Sequence, residues 1–129
     1  MHQLKNTVMV MDPDPQVLKG LTLLLEDMQF TVISSHHPQQ LTDPGIAQAD
    51  CPDLLILPYE LDDGTTGMAL AAELRARYKY SIPAILLAHN NDMSHTRFIT
   101  GDISVLSAQI KPKDLRNTIS AILVSKQTL

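Results

Sequence analysis

Acidic side chains gather at two places in this 129-residue chain where a short apolar run has just ended. Asp12 and Asp14 follow the run Thr7 to Met11, in the order Asp12-Pro13-Asp14-Pro15. Glu60, Asp62, Asp63 and Gly64 follow the run Asp53 to Leu57, with Pro58 interrupting between run and acids. Such runs suit strands buried on both faces of a parallel sheet, and the C-terminal edge of a doubly wound sheet is where sites are built. The pattern therefore aims carboxylates, the groups that hold hard cations, at a site-forming edge. His89 joins them after the run Ala84 to Ala88, and with Asn90, Asn91 and Asp92 it could line a polar ligand site or simply form a solvated loop.

Other chemistries fit less well. A phosphate or dinucleotide cradle needs a Gly, Ser or Thr-rich loop whose backbone N–H groups face the anion; DPDPQ offers two prolines without donors and two repelling aspartates. Adjacent His36 and His37 diverge, and no third ligand stands at zinc spacing. The single Cys51 cannot form an internal disulfide, and reads as a small residue entering the central strand. Lys111, Lys113 and Arg116 lie where a helix begins, an end whose dipole disfavours cations, so a solvated face is expected there. A net charge of -4 without a basic block gives no reason to expect nucleic acid or an anionic membrane as partner. The start, MHQLKNTVMV, is not a signal-peptide pattern, and no apolar run approaches a membrane span. A cytoplasmic location is expected.

These groups need elements to position them. A 44% hydrophobic, 19% charged chain of this length suits one soluble domain spanning residues 1–129. Thr7 to Met11 reads as the first strand; Asp14 can cap a helix with Pro15 in its first position. Val17, Leu18, Leu21, Leu24, Leu25 and Met28 recur at helical spacing. Phe30 to Ser34 reads as a second strand, and a second helix, over His36 to Ala49, should be short or irregular because Pro38, Pro44 and Gly45 break it. After the central strand, Thr65 or Thr66 can cap a helix with Leu70, Leu74 and Tyr78 on one face. Ala84 to Ala88 is a fourth strand, Asp92 to Thr100 a weakly held helix, Ile103 to Ser107 a fifth strand, and Leu115, Ile119, Ile122 and Leu123 mark a last amphipathic helix. Alternating strands and helices make a parallel sheet covered on both faces, with right-handed crossovers.

In their order and spacing these segments resemble a two-component receiver domain over roughly residues 7–125. VMVMDPDP resembles its first strand and acidic turn, PDLLILPYELDDGTTG its central strand and loop, IPAILLA its fourth strand, and IKPKDL the start of its last helix in receivers of hybrid histidine kinases. The resemblance implies a three-layer, doubly wound (βα)5 parallel sheet of flavodoxin-like type, strand order 2-1-3-4-5.

The same resemblance implies phosphoryl acceptance by a carboxylate at the end of the central strand, with two acids after the first strand helping to hold Mg²⁺ and a hydroxyl and a lysine engaging phosphoryl oxygens. Here the acceptor position is Pro58, which has no side-chain oxygen. The acid pair is reduced to Asp12 followed by Pro13, with Asp14 one residue on, a vestigial acidic pocket. The hydroxyl position is Ala88 and the aromatic switch position Val105. The lysine position is Ala108 if the fifth strand ends near Ser107, or Lys111 if the strand is shifted towards Ile110. No catalytic residue, no metal ligand set and no cofactor are therefore expected, and Mg²⁺ binding should be weak or absent.

The expected function is that of a non-phosphorylatable pseudo-receiver, not an enzyme, working by protein–protein interaction in a two-component phosphorelay. An atypical receiver accepting phosphoryl on a displaced carboxylate such as Asp62 or Asp63 is the alternative, and a small-molecule-binding flavodoxin-like module a third. Its partner would be a histidine kinase, a phosphotransfer domain or another signalling protein. At about 100° per residue Leu23 falls roughly 160° from the centre of the first helix's apolar arc, with Gln16, Lys19 and Glu26 beside it. These four residues form the candidate interaction surface.

Overall fold

The computed structural model describes residues 6–37, 51–61, 64–89, 97–100, 102–108 and 110–127, with side chains given except in 97–100 and 124–127. Among them run β1 (Thr7–Met11), α1 (Pro15–Asp27), β2 (Thr31–Ser35), β3 (Leu54–Pro58), α2 (Gly67–Tyr78), β4 (Ala84–Ala88), β5 (Arg97–Thr100), β6 (Ile103–Ser107) and α3 (Pro112–Gln127). The strands form one sheet in the order β2-β1-β3-β4-β6-β5. Five of them, β2, β1, β3, β4 and β6, are parallel, in the doubly wound order expected, and β5 pairs antiparallel to β6 at the edge.

Alternation along the strands divides the core into two layers. Val8, Val10, Leu54, Ile56, Ile85, Leu87 and Leu106 pack with Leu18, Leu21 and Leu25 of α1 and with Leu115, Ile119 and Leu123 of α3. Met9, Met11, Leu55, Leu57, Leu86 and Val105 pack on the opposite face with Leu70, Ala71 and Leu74 of α2. Every residue of β3 and β4 is buried, which is why those segments read as unbroken apolar runs and not as alternating ones. Burying a leucine or isoleucine in this way stabilises the fold by about 1.5–3 kcal/mol per side chain before entropy is counted. Between the helices of the first layer, Arg116 Nη2 donates to Asp27 Oδ2 at 2.8 Å. That pair is solvent-exposed and adds little.

The helix starts follow from their caps. Asp14 Oδ1 accepts the Gln16 N–H at 2.9 Å with Pro15 in the first position of α1. Thr66, not Thr65, caps α2, its Oγ1 accepting the Ala69 N–H at 3.1 Å.

Two strands, one residue and one further element differ from expectation. β2 runs one residue later than Phe30 to Ser34, and β3 is Leu54–Pro58, so Pro58 closes the strand instead of interrupting it. The N–H groups of Leu55 and Tyr59 donate to the carbonyls of Pro83, just before β4, and of Leu87 within it. By alternation, position 58 turns its nitrogen towards β1, where pairing ends at Val10 and Ile56. A proline there costs β3 no bond to β4 and stops the ladder to β1. Cys51 is exposed, three residues ahead of the strand it was expected to enter. The weak helix expected over Asp92 to Thr100 is corrected where it is described: Arg97–Thr100 is a strand. Phe98, Ile99 and Thr100 favour extended backbone, and only Gly101 and Asp102 separate Thr100 from its partner Ile103, the spacing of a two-residue hairpin. The expected second helix lies outside the described residues apart from His36 and His37, which form a bend.

Candidate functional site

The parallel strands bring Asp12, Pro58, Ala88 and Ala108 to one edge of the sheet. Asp12 follows β1, Pro58 and Ala88 end β3 and β4, and Ala108 follows β6. The Ala108 N–H donates to the Ala88 carbonyl at 2.8 Å, and Ser107 is paired with Ala88. Lys111 lies beyond, exposed, its carbonyl accepting the Leu115 N–H as α3 begins. Val105 is buried in the α2 layer.

Asp12 is 1% exposed. A carboxylate buried to that degree needs its oxygens engaged, and they are: Oδ1 accepts the Asp14 N–H at 2.9 Å, and Oδ2 lies 3.4 Å from Nε2 of His89. Its own N–H donates to Ser35 at the end of β2. Asp14 is exposed and its carboxylate serves as the cap of α1. Sequence reasoning placed His89 at the edge of this pocket but did not foresee its contact with Asp12.

The wall behind Pro58 is tight. A side chain on Gly67, the first residue of α2, would collide with the Pro58 carbonyl oxygen and meet Leu86, while the Gly67 N–H donates to Tyr59 at 2.9 Å. The loop between is closed on itself: Glu60 bridges Thr66, Leu61 N–H donates to Thr65 at 2.8 Å, and Gly64 turns the chain at φ 86°. Glu60 points to solvent, and Asp62 and Asp63 lie outside the described residues, as do Asn90, Asn91 and Asp92. Gly67 is a residue that sequence reasoning missed; the signal was a lone glycine between a threonine cap and a helix.

Among the described residues, the donor set at this edge does not fit a hard divalent cation. Mg²⁺ wants carboxylate oxygens free to face it; Asp12 has both engaged, Asp14 caps a helix and Pro58 has none. Among the described residues no group of three or more His, Cys, Asp or Glu side chains could hold a metal. His36 and His37 have ring centroids 6.5 Å apart and a tilted arrangement. Lys113 is exposed, and Arg116 is paired with Asp27. On α1, Gln16, Lys19 and Glu26 are exposed, and Leu23 is 57% exposed, one of two large apolar side chains in the open among the described residues. Among those residues no helix is long and apolar enough to cross a membrane.

No family model and no curated protein matches the sequence. Solved structures do match. The N-terminal domain of a response regulator/sensory box/GGDEF protein from Carboxydothermus hydrogenoformans aligns with TM-score 0.77 at 14% identity, over 95% of this chain and 98% of that one. A two-component response regulator from Clostridium difficile aligns with TM-score 0.71 at 19% identity, over 92% and 96%. The chemotaxis protein CheY4 of Vibrio cholerae aligns with TM-score 0.72 at 18% identity, over 93% and 100%. At such identities a likeness speaks for the backbone alone, and the chain has the fold of response regulator receiver domains.

Proposed function

We propose that this chain is a receiver-fold interaction module of a two-component pathway that does not accept a phosphoryl group. The observation that carries the reading is Pro58: a residue without a side-chain oxygen ends the central strand, where the resemblance puts the nucleophile. Ala88 and Ala108 stand at the same edge without the hydroxyl and the ammonium that phosphoryl oxygens need. With Asp12 engaged by its neighbours, Mg²⁺ binds weakly or not at all. Such a module is not an enzyme; it acts in the cytoplasm as a brake or adaptor, by contact with a histidine kinase, a phosphotransfer domain or another signalling protein.

Incubation with Mg²⁺ and a small phosphodonor, followed by intact mass measurement, tests this. No phosphate adduct is expected. A stoichiometric adduct mapping to Asp62 or Asp63 would replace the proposal with that of an atypical active receiver.

A further inference from the structure

We propose that His89 takes the part of the divalent cation at this edge, tying Asp12 to the end of β4 so that the pocket is closed by the chain's own side chain. The inference rests on the reading of Pro58 as a lost acceptor and goes beyond it, because it states what holds the remaining carboxylate in place.

The topology makes the contact informative. Asp12 follows β1 and His89 follows β4, and β3 runs between those strands. Neighbouring strands are about 4.8 Å apart, so the two strand ends lie roughly 10 Å from each other. A contact of 3.4 Å between Oδ2 and Nε2 must therefore arch across the end of β3, where Pro58 stands. A carboxylate oxygen accepts, so the tie calls for hydrogen on Nε2 of the ring. His89 keeps 48% of its side chain in solvent while the carboxylate is covered. One carboxylate oxygen thus faces the imidazole nitrogen, and the other accepts the Asp14 N–H.

Pro58 suits this arrangement. Its ring brings no second acceptor to compete for Nε2 and no second negative charge beside Asp12. A metal ion binding Oδ2 of Asp12 would compete with the histidine.

Paramagnetic broadening by Mn²⁺ in amide NMR spectra of the whole chain tests the tie. In the wild type, broadening near Asp12 should be no stronger than exposed carboxylates such as Asp14 account for. In His89→Ala the amides around Asp12 should broaden at a Mn²⁺ concentration at least tenfold lower, and the added Asp12→Asn change should abolish that gain. His89→Gln, which keeps an N–H donor, should behave as the wild type does. Equal broadening in the wild type and His89→Ala, or a gain that survives Asp12→Asn, overturns the proposal. Should His89→Ala fail to fold, the imidazole ¹⁵N spectrum of the wild type decides: the Nε2–H form is expected, and an Nδ1–H form overturns the tie. Phosphate uptake by the wild type would sink the interaction-module reading, whereas Mn²⁺ reaching Asp12 without phosphate uptake would sink only this one.

Discussion

Gly67 meets the carbonyl oxygen of Pro58 so closely that no side chain fits between them. The contact seats the first turn of α2 against the end of β3, and the Gly67 N–H bond to Tyr59 fixes its height. Gly67→Ala should therefore cost about 1–3 kcal/mol, the range of overpacking that moves backbone. Urea denaturation measures it. A loss under about 0.5 kcal/mol would mean that α2 can slide.

Alkaline pH should weaken the protein through Tyr78. Burial, and secondarily the charge of Cys51, hold its phenol above the ordinary 10.0, with Arg77 opposing. Below about pH 10 the phenol is neutral in both states and its contribution is complete. As pH rises further the unfolded chain ionises first, so stability falls until the folded phenol ionises as well. Tyr78→Phe should flatten that part of the profile, measured as melting temperature between pH 9 and 11. An unchanged slope would assign the loss to other groups.

The fold was largely legible because β1, β3 and β4 are short apolar runs, and burial on both faces leaves them no other pattern. The antiparallel strand was not. Its four residues lie in a polar stretch that suits a frayed helix as well as a strand, and only Gly101-Asp102 before Ile103 signalled a hairpin. Of the candidate site, the positions of Asp12, Pro58 and Ala88 followed from strand ends, and β6 closing at Ser107 puts Ala108, not Lys111, beside Ala88. The Asp12 to His89 contact spans 77 positions and needs the strand order to appear. No local pattern encodes it.

Pro58→Asp alone should not create a working acceptor. The site is buried, and a new carboxylate there adds like charge near Asp12 and competes for His89. Without a hydroxyl at Ala88 and an ammonium at Ala108 the transferring oxygens stay poorly stabilised. Each missing donor of that kind is worth on the order of 10²–10³ in rate. The triple variant with Ala88→Thr and Ala108→Lys should accept phosphate from a small donor at least about 100-fold faster than the single one. Equal rates would show that the two alanines do not stand where phosphoryl oxygens would.

The last prediction concerns the surface by which the proposed module would work. Leu18, Leu21 and Leu25 anchor α1 in the core, and Leu23 emerges on the far side, ringed by Gln16, Lys19 and Glu26. A single exposed leucine is ordinary on a protein surface. On the proposed reading, a pocket edge with Pro58, Ala88 and Ala108 leaves recognition to surfaces that do not depend on phosphorylation. Leu23→Asp removes nothing from the core and should shift stability by no more than about 0.5 kcal/mol. Placed at the centre of a docked helix face, the same change would bury an unpaired charge, which costs several kcal/mol and abolishes a micromolar complex. Pull-down and calorimetry against a histidine kinase or phosphotransfer domain should show binding by the wild type and none by Leu23→Asp, at equal melting temperatures. If binding survives, while changes in Arg97–Thr100 or Ile103–Ser107 remove it, the interface lies at the hairpin edge of the sheet and α1 is only scaffold.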